Sequence, residues 1–191
     1  MKLLGSGTSP FVRRIRLLLG DTPCEFASMD IYGADRDQLR RHNPALKIPM
    51  LIDGDNGIYD SRVIARYLAD KMALAPLSWA QENQLTLIDA VNDSGVTLAL
   101  SKRSGIDIAA DVLFYNLQHE RIRLSLDALS EQAAAGAFDD WHYPAMCVYA
   151  LVDWMELRDL FDFSAHQPLL EVRQRHRQQP MVAETDPRNA G

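Results

Sequence analysis

The chain has 191 residues, 47% hydrophobic and 24% charged, with 20 Lys plus Arg against 26 Asp plus Glu for a net charge of -6. That balance excludes disorder and nucleic-acid binding through a general basic field, and the length suffices for one generous core or two small ones. Two cysteines, Cys24 and Cys147, lie outside any CxxC, and the most apolar run, "PAMCVYALV", ends at Asp153, so the chain reads as cytoplasmic, without disulfides or a membrane span.

Up to about residue 72 the predicted elements are short and alternating. A strand near Lys2–Gly5 leads into "GSGTSPFVRRIRLLLG", where Ser9 is a good N-cap and Pro10 suits the first helical position. Phe11, Val12, Ile15, Leu18 and Leu19 recur at three- and four-residue spacing, with Arg13, Arg14 and Arg16 mostly on other faces, and Gly20 stops the helix. The hydroxyls of Ser6, Thr8 and Ser9 therefore crowd a strand-to-helix turn whose unsatisfied N–H groups attract an anion. A strand near Glu25–Ile31, a polar helix over 35–42, the buried strand "IPMLI", the turn "DGDNG", a brief "IY" strand and the helix "SRVIARYLADKM" complete a βαβ unit followed by ββα. Asp60 and Ser61 open that last helix, with Val63, Ile64, Tyr67 and Leu68 expected on its core side. Pro49, at the start of a predicted central strand, conflicts with the ladder bond a strand residue there would donate.

Beyond the linker at Ala73–Leu77 the pattern is helical. Ser78 and Gln81 form a capping-box signal before a helix reaching about Lys102, and further helices are predicted over about 108–131, 144–161 and 168–178. The tail after Pro180 is polar and reads as loosely held. "DGDNG" is a hairpin turn and no calcium loop, because Gly57 falls at its fifth position and Ile64 stands where a bidentate glutamate is needed. The five histidines show no i,i+4 pair, so no metal is assigned. "RQRHR" at 173–177 reads as a solvated face.

The order "SPFVRR", "NPALKIPML", "YDSRVIARYL", "ALVDWMELR" and "QQPMVAET" resembles the glutathione S-transferase family along nearly the whole chain, and is most similar to bacterial members with an N-terminal serine site. The resemblance implies an α/β plus all-α architecture: a thioredoxin-like domain over 1–73, an all-helical domain over 78–191, a homodimer, and glutathione as cosubstrate. It also implies a cis-proline at Pro49, turning the backbone of Ile48 toward the cysteinyl part of glutathione, with Lys47 meeting the glycyl carboxylate. The Ser61 hydroxyl and N–H can take the γ-glutamyl carboxylate at a helix N-terminus, and Asp60 can accept from its ammonium. Ser9 matches the family's serine position, with Ser6 and Thr8 as rivals.

The chemistry asks for such a site, because the thiolate is the nucleophile and a free thiol of pKa about 8.5 is only about 3% ionised at pH 7. Lowering it by about two units ionises roughly three quarters, for about 2.7 kcal/mol of differential stabilisation, within reach of a helix N-terminus and one donated hydrogen bond. The expected activity is transfer of glutathione to a small hydrophobic electrophile; alternatives are a non-catalytic binding or interaction module of the same fold, or a glutathione-dependent peroxidase or disulfide reductase. Val96, Leu100, Arg103 and Tyr115 are candidate walls for the electrophile. One departure from the family pattern is that Tyr143 and Met146 replace the usual Ser/Thr and Asp capping box of the buried helix, leaving Asp139 or Asp140 to reach back as substitutes.

Overall fold

A computed structural model describes residues 1–189 of the chain, which divide into two compact units, Met1–Pro76 with the segment from Gln178 on, and Leu77–Arg177. In the first unit the elements run β1 (Lys2–Gly5), α1 (Pro10–Leu19), β2 (Glu25–Ser28), α2 (Arg36–His42), β3 (Met50–Asp53), β4 (Asn56–Tyr59) and α3 (Ser61–Lys71). The sheet order is β2-β1-β3-β4, with β1 and β2 parallel and the other pairings antiparallel. The fold is thioredoxin-like. β2 ends at Ser28, three residues short of the strand predicted to reach Ile31.

Both faces of the central strands are covered, so Leu3 and Leu4, which point to opposite sides by strand alternation, are each almost fully buried. Leu4 and Met50 cluster with Met29 and with Leu39 of α2. α1 and α3 pack together and supply the buried Val12, Ile15, Ile64 and Leu68. A Cβ on Gly5 would lie 2.4 Å from Val12 Cγ2, so α1 can approach β1 this closely only over a glycine. Val63, expected on the core side of α3, is 50% exposed: the buried stripe runs through Ser61, Ile64, Ala65 and Leu68, and Val63 falls outside it.

The segment from Gln178 on, expected in the helical domain and loosely held, is pinned within the first unit by arginines expected on the other faces of α1. Arg13 donates from Nε to Thr185 Oγ1 at 3.3 Å and from Nη2 to the Val182 carbonyl at 3.2 Å, and Arg16 donates to the Glu184 carbonyl at 3.2 Å. Arg13, Val182 and Thr185 are all buried. A guanidinium can be buried this way because its planar fork meets several acceptors at once.

The second unit holds α4 (Trp79–Arg103), α5 (Leu113–Ala134), α6 (Tyr143–Leu157) and α7 (Gln167–His176). α4 opens with both halves of the Ser78–Gln81 capping box in place. α5 starts five residues later than predicted, since the stretch before it turns on Asp107, whose Oδ1 accepts from the Ala109 N–H at 2.9 Å. Every residue of α6 from Tyr143 to Met155 is buried, as a helix apolar on all sides requires. Its N-cap is His142, neither Asp139 nor Asp140: Nδ1 accepts from the Ala145 N–H at 3.2 Å while Nε2 donates to the Ala137 carbonyl at 3.0 Å. Asp139 instead pairs with Arg175, Arg173 pairs with Glu156, and His176 is buried against the Phe138 carbonyl, so within "RQRHR" His176 is packed and Arg173 half-buried while Gln174, Arg175 and Arg177 are exposed.

Candidate functional site

The candidate residues of the first unit lie at the N-termini of α1 and α3 and in one prolyl loop. At the start of α1, Ser9 has extended backbone (φ -85°, ψ 128°), and its Oγ accepts from the Val12 N–H at 3.4 Å, a long cap bond. Ser9 is half-buried, as are Ser6 and Thr8. The three hydroxyls are not equivalent. Ser6 Oγ and Thr8 Oγ1 lie 3.1 Å apart, so one of them donates to the other, while Ser9 takes its cap bond as an acceptor and does not use its own O–H in it.

The prolyl loop sits ahead of β3. Pro49 is buried, the Ile48–Pro49 bond is cis, and the proline lies just outside the ladder that begins at Met50, so no strand hydrogen bond is lost to it. Ile48 packs against the Leu4–Met29–Leu39–Met50 cluster. Lys47 is exposed, and its carbonyl accepts from Asn43 Nδ2 at 2.8 Å. Asn43, 1% exposed, also accepts from the Ala45 N–H at 2.9 Å, so one buried amide shapes the whole turn from 43 to 47. The sequence reading missed Asn43. The signal was the Asn-Pro pair after a polar helix, where an Asx turn is the expected role.

At the start of α3, Asp60 is exposed and sits at φ 72°, a conformation that non-glycine residues adopt at a cost and that Asp tolerates better than most. Its Oδ1 accepts from the N–H groups of Arg62 at 2.8 Å and Val63 at 3.4 Å, leaving Oδ2 outside the cap. Ser61 is 2% exposed, and its Oγ accepts a hydrogen bond from Nη2 of Arg14, itself 1% exposed. Arg14 was read from sequence only as a polar face of α1. Its guanidinium also lies over the Phe11 ring, 4.9 Å from the centroid.

Cys24 is half-buried and burial pushes its thiol up, away from the thiolate. No disulfide joins it to Cys147. Among the described residues no group of three or more His, Cys, Asp and Glu is disposed to hold a metal ion, and no helix is long and apolar enough to cross a membrane. Of the candidate electrophile walls, Tyr115 is buried within the second unit with its ring edge-on to Phe114, whereas Leu100 is 38% exposed.

A thioredoxin-like sheet unit followed by a wholly helical unit defines the fold class of the molecule. Residues 3–76 match the model of the glutathione S-transferase N-terminal domain. The chain is 29% identical over 172 residues to an uncharacterised GST-like protein, YibF, of Escherichia coli strain K12, covering 83% of each, and 27% identical over 169 residues to glutathione S-transferase 4 of Zea mays, covering 86% of this chain and 75% of that one. Among solved structures, a glutathione S-transferase from Methylobacillus flagellatus KT with glutathione bound superposes with a TM-score of 0.84 at 23% identity, covering 97% of this chain and 98% of that one. A second, from Methylobacterium radiotolerans in complex with glutathione sulfonate, gives 0.83 at 20% identity over 97% and 94% of the two chains. Residues 3–76 thus match the glutathione S-transferase N-terminal domain, and the chain as a whole is similar in sequence and fold to proteins of that family.

Proposed function

We propose that the protein is a glutathione transferase that holds glutathione on its sheet unit, keeps the sulfur ionised and adds it to a small hydrophobic electrophile, a detoxifying chemistry. Ser9 donates its O–H to the thiolate at the N-terminus of α1. The backbone of Ile48 ahead of Pro49 pairs with the cysteinyl segment, Lys47 meets the glycyl carboxylate, Ser61 takes the γ-glutamyl carboxylate, and Asp60 accepts from the ammonium through the oxygen its cap does not use. The observation that carries the reading is the cap of α1: Ser9 Oγ accepts from the Val12 N–H at the helix N-terminus, so its proton is not needed by the cap. Donation suffices for catalysis, because a hydrogen bond to an ionised acceptor favours the ionised form.

Relatives support the ligand, since solved neighbours are described with glutathione or glutathione sulfonate bound. Cys24 gives no support to disulfide exchange, because the raised thiol pKa runs opposite to an activated nucleophile. We also infer a cytoplasmic homodimer: a reducing setting fits two unlinked cysteines, and Tyr59 and Val63 present apolar surface on the first unit that a second copy would cover.

Conjugation of glutathione to a panel of hydrophobic electrophiles, with Ser9→Ala beside the parent, tests the reading. The expected result is turnover by the parent and a loss of about 10- to 100-fold in kcat/KM at pH 7 in the variant, the scale of one hydrogen bond to a charged group. Glutathione binding without turnover on any electrophile of the panel would favour the non-catalytic module.

A further inference from the structure

The reading above gives Ser61 the γ-glutamyl carboxylate but leaves open what makes its hydroxyl a donor. A serine hydroxyl carries one proton and two lone pairs, and in a buried site its polarity is set by its neighbours. One neighbour here is a guanidinium, Nη2 of Arg14 donating to Ser61 Oγ, with Ser61 2% and Arg14 1% exposed. Arginine has donors only and stays charged at every accessible pH. Ser61 therefore cannot donate to Arg14. One lone pair of its oxygen is committed to the guanidinium, and its own proton is directed to some other acceptor.

We propose that Arg14 is a positioning residue of the glutathione site: by donating to Ser61 Oγ from α1, it sets the Ser61 hydroxyl as a donor at the N-terminus of α3, polarised for a carboxylate. The inference rests on the assignment of Ser61 to the γ-glutamyl carboxylate. A carboxylate accepts and cannot donate, so it takes the hydroxyl as a donor, the orientation that the Arg14 bond favours. The same bond ties the two helices that carry the ends of the site, since Ser9 caps α1 and Asp60 caps α3. Cation–π contact with Phe11 holds the guanidinium on its own helix while it reaches across. A surface-seeking arginine would have no reason to be this deeply buried five residues after Ser9.

The test uses two ligands, glutathione and 4-aminobutyryl-cysteinylglycine, which lacks only the α-carboxylate of the glutamyl group. Titration calorimetry on the full chain gives the ratio of their dissociation constants for the parent, Arg14→Lys, Arg14→Gln and Ser61→Ala. The parent should prefer glutathione. Arg14→Gln, whose amide oxygen can take the Ser61 proton, should lose about tenfold of that preference through glutathione alone, Arg14→Lys, again donor-only, should keep most of it, and Ser61→Ala should lose as much as Arg14→Gln. An Arg14→Gln ratio equal to the parent's, or equal weakening of both ligands, overturns the proposal. If the melt of Arg14→Gln shows it unfolded, the other two variants decide: a ratio lost in Ser61→Ala and kept in Arg14→Lys supports it, and any other pairing overturns it. A parent that binds neither ligand overturns the glutathione reading and this inference with it, whereas a parent that binds glutathione with an unchanged ratio in the variants overturns the inference alone.

Discussion

Asp60 has two tasks on two oxygens, and a substitution can separate them. Oδ1 caps α3, and Asn caps about as well as Asp while tolerating the same positive φ. Asp60→Asn should therefore change stability by less than about 0.5 kcal/mol, yet weaken glutathione about tenfold by removing the charged partner of its ammonium. Thermal melts with and without millimolar glutathione read both effects: an unshifted melt without ligand and a smaller ligand-induced rise are expected. At this scale the caps were legible, because Ser9-Pro10 and Asp60-Ser61 are short-range patterns with one physical meaning. The buried arginines were not. A guanidinium counts as polar in any periodicity, and the partners that make burial tolerable stand far along the chain, Ser61 for Arg14, and Val182 and Thr185 for Arg13.

At the level of elements, the returning C-terminal segment is part of the frame that holds α1. Thr185 Oγ1 accepts from Arg13 and donates to the Met181 carbonyl at 2.6 Å, so Thr185→Val removes both bonds from a buried site and should cost about 1–2 kcal/mol in urea unfolding. The segment looked loose in sequence because its composition is polar and its one anchoring threonine is ordinary. The β3–β4 hairpin has its own clamp on α3, where Asp53 accepts from Lys71 and from the Tyr67 hydroxyl. Those bonds, Lys71's foremost, hold the Asp53 carboxyl below the usual carboxylate range. Because the folded state binds that proton less readily than the unfolded one, the clamp's contribution is present above the ordinary carboxylate pKa of about 3.9 and is lost as pH falls through the lower folded value. Asp53→Asn should therefore be less stable than the parent at neutral pH, with the gap closing under acid; a gap independent of pH from 7 down to 3 would contradict the assignment.

For the molecule as a whole, the architecture was legible from the change in texture near residue 73, where alternating short elements give way to long amphipathic runs. Where the last segment packs was not, since nothing local in a polar tail says which unit its few apolar groups will join. The departure at the buried α6 was visible as the loss of a familiar cap, but its replacement by the His142 ring depends on a carbonyl five residues back fixing the tautomer, a tertiary detail. The account of function depends on one quantity, the ionisation of glutathione sulfur once bound. Ultraviolet absorbance of the thiolate, followed across pH on glutathione-saturated protein, measures it. The parent should be half-ionised near pH 6.5, about two units below a free thiol, and Ser9→Ala should move back toward about 8.5. A parent that titrates at the free value, or a variant that titrates with the parent, would contradict it.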